Sequence, residues 1–404
     1  MHKSSFFLLL FFAIFPNLST AQAPTKKDAA AIYSDIQKLN FLGSVLYLAA
    51  HPDDENTRLI SYYSNSVHAR TAYLSLTRGD GGQNLIGTEL REQLGVIRTQ
   101  ELLEARKIDG GIQYFSRAND FGYSKTPDET LKIWNKEEVL SDIVWVMRNF
   151  QPDVIINRFD ARTPGTTHGH HTASALLSLE AFDLANDPTK FSSQISLVKP
   201  WQPKRAFFNV SYFFYGSPDA FEKVDKSNYS TISTGVYYNT FGKSNQEIAA
   251  LSRSRHQSQG FGTTGSRGDD KDYLEFVKGS PINSTDIFEG IDTSWNRVEG
   301  GKQIQTILEK VQREFSFKDP SLSVPELVKA YKLIKDLKDL QETHQSYTLE
   351  LMSNQSAVDD LTEKIKDQRN AIRDMEIGLR ETILKAIEDR IELQERMLQG
   401  TIDT

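Results

Sequence analysis

The chain has 404 residues, no cysteine, 47 lysine and arginine residues, 54 aspartate and glutamate residues, and an apolar share of 38%. This composition argues against a disordered chain, and the net charge of −7 argues against nucleic-acid binding through phosphate contacts. Without cysteine there are no disulfides, thiolate zinc ligands or cysteine nucleophile, so any metal must be held by histidine, aspartate and glutamate. The length predicts about two or three domains.

The first 23 residues are typical of a secretory signal peptide. Lys3 gives a positive start, residues 6–15 are all apolar, and residues 21–23 (AQA) form a small-x-small cleavage signal. The apolar run is shorter than the about 20 residues of a membrane-spanning helix, and the cleavage pattern disfavours a buried core helix. We therefore expect cleavage near Ala23, no transmembrane anchor, and export of the mature protein to the periplasm or the medium.

Helical and strand patterns alternate after this segment. The predicted elements are a helix at 28–39, buried strands at 44–50 and 71–77, helices at 89–108 and 137–149, a strand at 154–159 and a helix beginning near His170. Continuous apolar strands separated by helices indicate an α/β fold with a mostly parallel sheet and flanking helices. Shorter strands and turns between residues 190 and 298 are expected to complete the same domain.

The composition changes after Phe317, beyond which only Tyr331 and Tyr347 are aromatic. Segments 325–340 and 357–397 combine helical periodicity with dense charge, which predicts a helical hairpin or short coiled coil and makes oligomerisation through these helices possible. The predicted organisation is a signal peptide at 1–23, an α/β domain at 24–317 and a helical accessory or linker region at 318–404.

Ionisable side chains cluster where two of the predicted strands end. Residues 51–55 (HPDDE) follow the first strand, and residues 167–171 (THGHH) follow the strand at 154–159. Parallel sheets bind ligands at the carboxyl ends of their strands, and imidazole with carboxylate suits a divalent metal. The alternatives are an N-cap role for Asp53 or Asp54 and a fortuitous histidine cluster. Both motifs in one α/β domain favour a metal site.

The two motifs resemble those of a known family. A-H-P-D-D-E at 50–55, followed later by H-x-x-H at 168–171, is similar to the PIG-L (LmbE-like) family of zinc-dependent N-deacetylases. The similarity continues at 76–82 (LTRGDGG) and 94–102 (LGVIRTQEL) and covers roughly residues 28 to 300. The resemblance implies a Rossmann-like fold, one zinc ion per chain, and removal of the acetyl group from N-acetylglucosamine-type sugars on lipids, small conjugates or oligosaccharides.

The resemblance also implies a set of zinc ligands, which are His51, Asp54 and His171. The family's second motif is usually H-x-D-H, whereas this chain has H-G-H-H at 168–171. His170 therefore replaces the aspartate of the family. This replacement leaves two alternatives open for His170, a changed hydrogen-bonding partner near the metal or a competing ligand.

Two further residues receive catalytic roles from the resemblance. Asp53 is expected to act as the general base that accepts the proton of the attacking water. His168 is expected to stabilise the oxyanion or to help protonate the leaving amine. Amide hydrolysis needs such groups because an amide is a poor electrophile and water is a poor nucleophile.

Four residues are candidates for substrate binding, each with a structural alternative. Arg78 is expected to bind sugar hydroxyls or to lie in a surface turn. Arg98 and Glu101, three apart on a predicted helix, form either a surface pair or part of the site, as the resemblance implies. His256, in the polar segment 255–260, is expected to contact the substrate or to be an exposed loop histidine.

The sequence thus predicts an exported, zinc-dependent N-deacetylase acting on an N-acetylated amino sugar or glycoconjugate. One alternative is a metal-dependent amidase that acts on another N-acyl compound. A second is a carbohydrate-binding module with a vestigial site. Metal content and acetate release distinguish the three.

Overall fold

Helices and strands alternate in the part of the chain that the computed structural model describes, residues 27–162 and 167–351. The helices are α1 (Ala29–Leu39), α2 (Thr57–Asn65), α3 (Glu92–Asp109), α4 (Pro127–Ile133), α5 (Lys136–Phe150), α6 (Gly169–Leu184), α7 (Pro218–Glu222), α8 (Asn245–Arg253), α9 (Lys302–Arg313) and α10 (Val324–Leu351). The strands are β1 (Ser44–Ala49), β2 (Arg70–Ser75), β3 (Ile112–Phe115), β4 (Val154–Asn157), β5 (Arg205–Val210), β6 (Tyr229–Ser233), β7 (Tyr237–Tyr238), β8 (Lys243–Ser244) and β9 (Lys271–Gly279).

Seven strands form one sheet in the order β3-β2-β1-β4-β5-β9-β6. The first five run parallel, and β9 pairs antiparallel with both β5 and β6. After β1, the strands β2 and β3 are added one after the other on one side of it. The chain then returns, and β4 pairs with β1 on the other side. The predicted α/β fold with a mostly parallel sheet and flanking helices is therefore confirmed.

Side chains of β1 alternate between the two faces of the sheet. Leu46 and Leu48 belong to a core with α5 and α6, whereas Val45, Tyr47 and Ala49 face a second core that includes residues of α2 and α3. All six residues of β1 are buried, which explains why the strand is a continuous apolar run in the sequence. Because β1 lies between β2 and β4 and is buried along its whole length, it holds the start of the following segment in a defined position.

A third apolar cluster lies away from the sheet. It joins α1, α9 and the start of α10, with Ile36, Leu308, Leu327 and Ala330 among its buried members. The first turns of α10 thus share a core with α1, and a domain boundary near residue 318 stays a prediction. Helix α10 contains the predicted helix at 325–340, while the segment 357–397 lies outside the described residues. Among the described helices, none combines the length and apolar character needed to cross a bilayer.

The polar sequence around His68 predicts a solvated side chain, but the structure buries its Nδ1 without a partner among the described residues. Burial, with a contribution from Lys38, lowers the pKa of His68 from 6.5 to about 4. The unfolded chain therefore takes up a proton before the folded one, and stability falls as the pH drops from about 6.5 to 4. Allowing for partial exposure, we expect a loss of about 1–2 kcal/mol.

The variant His68→Asn tests this loss. His68 has a φ of 64°, which asparagine tolerates, and asparagine does not titrate. Urea unfolding at pH 7 and pH 4.5 should show a smaller drop in the free energy of unfolding for the variant than for the wild type. Equal drops in both proteins would contradict the assignment.

Candidate active site

Both sequence motifs meet at one crevice of the sheet. The strands β1 and β4 are adjacent and parallel, and their connections lead to opposite sides of the sheet. Such a switch point opens a crevice at the carboxyl ends of the strands. Residues 51–55 follow β1, and His168 is the N-cap of α6 in the connection after β4. The crevice therefore contains the predicted metal ligands and catalytic residues.

A tight turn after β1 sets the position of Asp53. The carbonyl of His51 accepts the N–H of Asp54 at 3.3 Å, Pro52 lies at the second position of the turn, and Asp53 at the third has a φ of 84°. A positive φ costs a residue with a side chain about 1–3 kcal/mol. Arg98 holds the strained turn, because its Nη2 donates to Asp53 Oδ2 at 2.8 Å and to the Pro52 carbonyl at 2.6 Å.

Three predicted ligands lie close enough to share one ion. His51 Nδ1 is 3.0 Å from Asp54 Oδ2, and Asp54 Oδ1 is 3.5 Å from His171 Nε2. One ligand atom from each residue lies within 4.8 Å of those of the other two. The ring of His171 stacks on Phe159 at 3.8 Å, which fixes its orientation. Two imidazoles and one carboxylate are a donor set that zinc accepts in catalytic sites, so the residues fit the ion.

A second group of possible ligands shares His51. Its other ring nitrogen, Nε2, is 2.9 Å from His170 Nδ1, and His51, His168 and His170 also satisfy the distance limit for one ion. His170 is fully buried and packs against Phe121 and Trp134. Both alternatives for His170 therefore have a geometric basis, as a hydrogen-bonding partner of a ligand or as a ligand.

The electrostatics favour neutral imidazoles at His170 and His171 beside a charged carboxylate at Asp54. Burial alone would lower the pKa of His51, but Asp54 outweighs it and raises this pKa. Burial lowers the pKa of His170 to about 2 and that of His171 to about 3. Burial alone would raise the pKa of Asp54, but His171 and His51 outweigh it and hold this pKa below its usual range. Neutral imidazole and ionised carboxylate are the protonation states that bind a metal.

The pKa of Asp53 is shifted in the opposite direction to that of Asp54. Burial raises the pKa of Asp53 to about 6, against the opposing effect of Arg98 and with a further increase from Asp54. A carboxylate that titrates near neutral pH is suited to proton transfer at the working pH of an enzyme.

His168 lies beside the ligands. Its Nδ1 accepts hydrogen bonds from the backbone N–H groups of His170 at 3.2 Å and Ser124 at 3.4 Å. The ring is 5.3 Å from that of His51 and 5.0 Å from that of Tyr123, centre to centre. With Nδ1 as acceptor, the proton of the neutral ring sits on Nε2.

Arg98 and Glu101 are buried, so the surface-pair alternative is wrong. Arg98 is 3% exposed and contacts Asp53, whereas Glu101 is 9% exposed and binds another segment. The carboxylate of Glu101 accepts the backbone N–H of Ser258 at 2.6 Å and its hydroxyl at 2.7 Å. Glu101 thereby anchors the segment 255–260 to α3.

We expect Glu101→Gln to loosen the segment around Ser258, because the amide NH₂ would face a donor in place of one acceptor oxygen. Loss of one hydrogen bond to a charged group costs about 1.5–3 kcal/mol, so amide exchange near residue 258 should accelerate about 10- to 100-fold. Glu104→Gln, on an exposed position of the same helix, is the control. Unchanged exchange in the Glu101 variant would show that this contact does not anchor the segment.

His256 is fully buried, so the alternative of an exposed loop histidine is wrong. Its Nε2 lies 2.8 Å from Glu55 Oε1, and Arg106 Nη2 donates to the same oxygen at 3.1 Å. Burial alone would raise the pKa of Glu55, but His256 and Arg106 lower it to about 2. The second oxygen of Glu55 accepts the N–H of Asp53 at 2.9 Å, so this network supports the strained turn. The sequence motif contains Glu55 but carries no sign of Arg106.

Arg78 is exposed, as its surface-turn alternative requires. Its guanidinium lies 4.3 Å above the ring of Phe115, and its Nη1 donates to Thr99 Oγ1 at 3.3 Å. Arg78 does not line the cavity that opens beside the crevice.

A cavity of about 600 Å³ opens beside the crevice. Its lining includes Asp53, Asp54, His171 and Asp270. Side chains that the sequence motifs do not indicate also line it, among them Arg158, Tyr212, Phe213 and Arg253. These residues come from β4, β5 and α8 or the turns after them, and only the fold brings them together.

Comparison with known proteins gives one family match. Residues 46–182 match the model of the PIG-L family, described as GlcNAc-PI de-N-acetylase. This stretch includes β1 from Leu46 onward, the turn after it and α6 up to Phe182, and thus both motifs of the crevice. Among curated proteins, none matches the sequence.

Solved structures with similar folds include three with stated activities. N,N'-diacetylchitobiose deacetylase from Pyrococcus horikoshii is 19% identical, with a TM-score of 0.38 over 54% of this chain and 70% of that one. The 4-carboxy-2-hydroxymuconate hydratase of Pseudomonas putida KT2440 is 15% identical, with a TM-score of 0.39 over 60% of this chain and 99% of that one. A triple mutant of a deacetylase of teicoplanin biosynthesis is 13% identical, with a TM-score of 0.35 over 59% and 100% of the two chains.

Proposed function

Residues 46–182 form a domain of the PIG-L family, and from this premise we propose that the chain is an exported, zinc-dependent N-deacetylase of N-acetylated amino sugars or glycoconjugates. The proposal depends mainly on one observation, the convergence of His51, Asp54 and His171 beside Asp53 at the mouth of a cavity. Export is proposed from the signal-peptide pattern at 1–23 and is tested by the N-terminus of the mature protein.

The proposed zinc ligands are His51, through Nδ1, with Asp54 and His171. If zinc is held by these three residues, it would supply Lewis-acid chemistry, lowering the pKa of a water molecule and polarising the acyl oxygen of the substrate. Burial and aromatic stacking hold His171 in one orientation, and the turn after β1 holds the other two. His170, at 2.9 Å from His51 Nε2, is proposed as the hydrogen-bonding partner that fixes the tautomer of this ligand.

Asp53 and His168 are proposed to move the protons. Arg98 donates a hydrogen bond to Oδ2 of Asp53. The other carboxylate oxygen of Asp53, Oδ1, has no hydrogen-bond partner among the described side chains, so it can accept the proton of the attacking water. His168, with its proton on Nε2, is positioned to stabilise the developing oxyanion or to donate to the leaving nitrogen. The C–N bond of the amide breaks, and the products are acetate and a primary amine.

The test is acetate release by the zinc-loaded protein. N-acetylglucosamine and N,N'-diacetylchitobiose are compared with N-acetyl amino acids, and acetate and primary amine are both measured. The proposal predicts equal amounts of the two products from the sugars. Hydrolysis of N-acetyl amino acids alone would favour the amidase alternative, and bound zinc without any turnover would favour a binding module.

A further inference from the structure

The three polar groups of Asp53 each contact a different residue. Its backbone N–H donates to Glu55 Oε2 at 2.9 Å, its carbonyl accepts from Arg253 Nη1 at 3.1 Å, and its carboxylate accepts from Arg98 Nη2 at 2.8 Å. The φ of 84° strains this residue, and a strained conformation persists only where its surroundings enforce it. The position of the proposed base therefore depends on these three partners.

Glu55 divides its two carboxylate oxygens between Asp53 and His256. Oε2 accepts the N–H of Asp53, and Oε1 lies 2.8 Å from His256 Nε2. Burial alone would raise the pKa of Glu55, but His256 and Arg106 lower it to about 2. Because the ionised carboxylate can only accept hydrogen bonds, His256 Nε2 carries a proton and acts as the donor. Both side chains are fully buried, so solvent water does not reach either group to replace a lost partner.

Arg106 contacts the same oxygen of Glu55 but is shared with a second carboxylate. Its Nη2 donates to Glu55 Oε1 at 3.1 Å and to Asp109 Oδ2 at 2.6 Å. His256 makes the shorter contact with Glu55, and its other ring nitrogen, Nδ1, has no hydrogen-bond partner among the described residues. The imidazole of His256 is therefore directed to Glu55, whereas the guanidinium of Arg106 is held mainly by Asp109.

His256 contacts the turn after β1 through Glu55 and does not reach the cavity. Glu55 lines that cavity, and His256 does not. The residues on either side hold the imidazole in place, since Arg253 donates to a carbonyl of the turn and Ser258 donates to α3. His256 also lies outside residues 46–182, which match the family model. The structure thus gives His256 a contact with the turn and none with the place of the substrate.

We propose that His256 is a positioning residue for the general base. By holding one oxygen of Glu55, it keeps the other oxygen on the N–H of Asp53 and so fixes the direction of the Asp53 carboxylate toward the attacking water. The inference rests on the proposed deacetylase function and adds to it a residue that does not touch the substrate. A misplacement of a reacting group by about 1 Å can cost about 10²-fold in rate, so this remote contact affects turnover.

Two amide variants of His256 test the proposal, because they differ in reach. In His256→Gln the side-chain NH₂ can take the place of Nε2 and donate to Glu55, whereas in His256→Asn it ends near the place of Nδ1. With N-acetylglucosamine or N,N'-diacetylchitobiose as substrate, kcat for acetate release should fall about 10- to 100-fold in His256→Asn and stay within about 3-fold in His256→Gln. KM, and the zinc affinity measured by competition with a chelator, should stay within about 3-fold in both variants.

The control is His68→Asn, which loses an imidazole just before β2, at the edge of the sheet opposite the crevice. Its kcat should stay within about 2-fold of the wild type, because distant sites act independently. Wild-type kcat in His256→Asn would overturn the proposal. Equal losses in the asparagine and glutamine variants, or a loss in KM or zinc affinity instead of kcat, would overturn it as well.

A second variant, Glu55→Gln, tests the same contact without a change at His256. Its amide has an acceptor oxygen at only one of the two positions, so it accepts either from His256 or from the N–H of Asp53. Its kcat should fall by about 10- to 100-fold while zinc stays bound. Wild-type turnover of Glu55→Gln would contradict the proposal even if His256→Asn fails to fold.

Amide exchange of Asp53 separates this inference from the deacetylase function. It is followed by NMR, without substrate, in protein that carries nitrogen-labelled aspartate. The N–H of Asp53 should exchange at least about 10-fold faster in His256→Asn than in the wild type, and at nearly the wild-type rate in His256→Gln. This pattern would support the positioning of Asp53 even without turnover, and only the deacetylase function would then fail. Equal exchange in the wild type and His256→Asn would overturn the inference even if acetate is released.

Discussion

Replacing Asp53 by asparagine is expected to abolish most of the deacetylase activity while zinc binding persists. The side chain keeps its size, tolerates the φ of 84° and still accepts a hydrogen bond from Arg98, but it cannot take a proton from water. General bases contribute about 10²- to 10⁴-fold to the rate, so kcat should fall within that range. Acetate release and bound zinc are measured on the same sample.

The control for this variant is Asp142→Asn, which removes an aspartate paired with Arg117 at the surface, away from the crevice. Its turnover should stay within about 2-fold of the wild type, because surface pairs contribute little. Full activity in Asp53→Asn with zinc bound would show that another group accepts the proton. Loss of zinc from that variant would instead place Asp53 among the ligands.

The second large effect concerns zinc affinity. It distinguishes the two candidate sets of zinc ligands, one with Asp54 and His171 and the other with His168 and His170. If His51, Asp54 and His171 hold the ion, His171→Ala should weaken zinc binding by about 10³-fold, since a ligand is lost. His170→Ala should cost only about 10- to 100-fold, as expected for a residue that orients a ligand. His168→Ala should leave the affinity nearly unchanged.

Competition with a chelator measures these affinities without reference to activity. The group His51, His168 and His170 predicts the opposite order, with the largest losses for the variants of His168 and His170. That order would contradict the proposed ligands. Circular dichroism of each metal-free variant is needed, because His170 also packs in the core against Trp134.

The position of the site could be predicted from the sequence because it depends on local features. Buried strands appear as continuous apolar runs; residues 51–55 come directly after β1, and residues 168–171 lie at the end of the connection from β4 to α6. In a parallel sheet such positions lie at one edge. The order of the strands, with β4 next to β1, then brings residues 51–55 and 168–171 within hydrogen-bonding distance.

The buried residues that hold the site in place could not be predicted, because they act through contacts between residues that are far apart in the sequence. Arg98 and Glu101 have the spacing of a surface ion pair, and only the packing of α3 against the crevice buries them. His256 is about 200 residues from Glu55 in sequence, yet the two side chains are 2.8 Å apart. No periodicity encodes which buried carboxylate a distant histidine reaches.

The same limit applies to the cavity. Arg158, Tyr212 and Arg253 stand far apart in the sequence, and only the fold brings them to one cavity. Pro52 and Asp53 show both sides of this limit. A proline is a local signal for the second position of a turn, but the positive φ of Asp53 is seen only in the structure, because proline there also suits turns whose third residue has a negative φ.

Adding zinc stepwise to the metal-free protein tests the proposed function on a single sample. Acetate release from N-acetylglucosamine or N,N'-diacetylchitobiose should be negligible without metal. It should rise in proportion to bound zinc and reach its maximum at one zinc per chain. Full turnover without metal, or no turnover from either of these sugars at one bound zinc per chain, would contradict a zinc-dependent deacetylase.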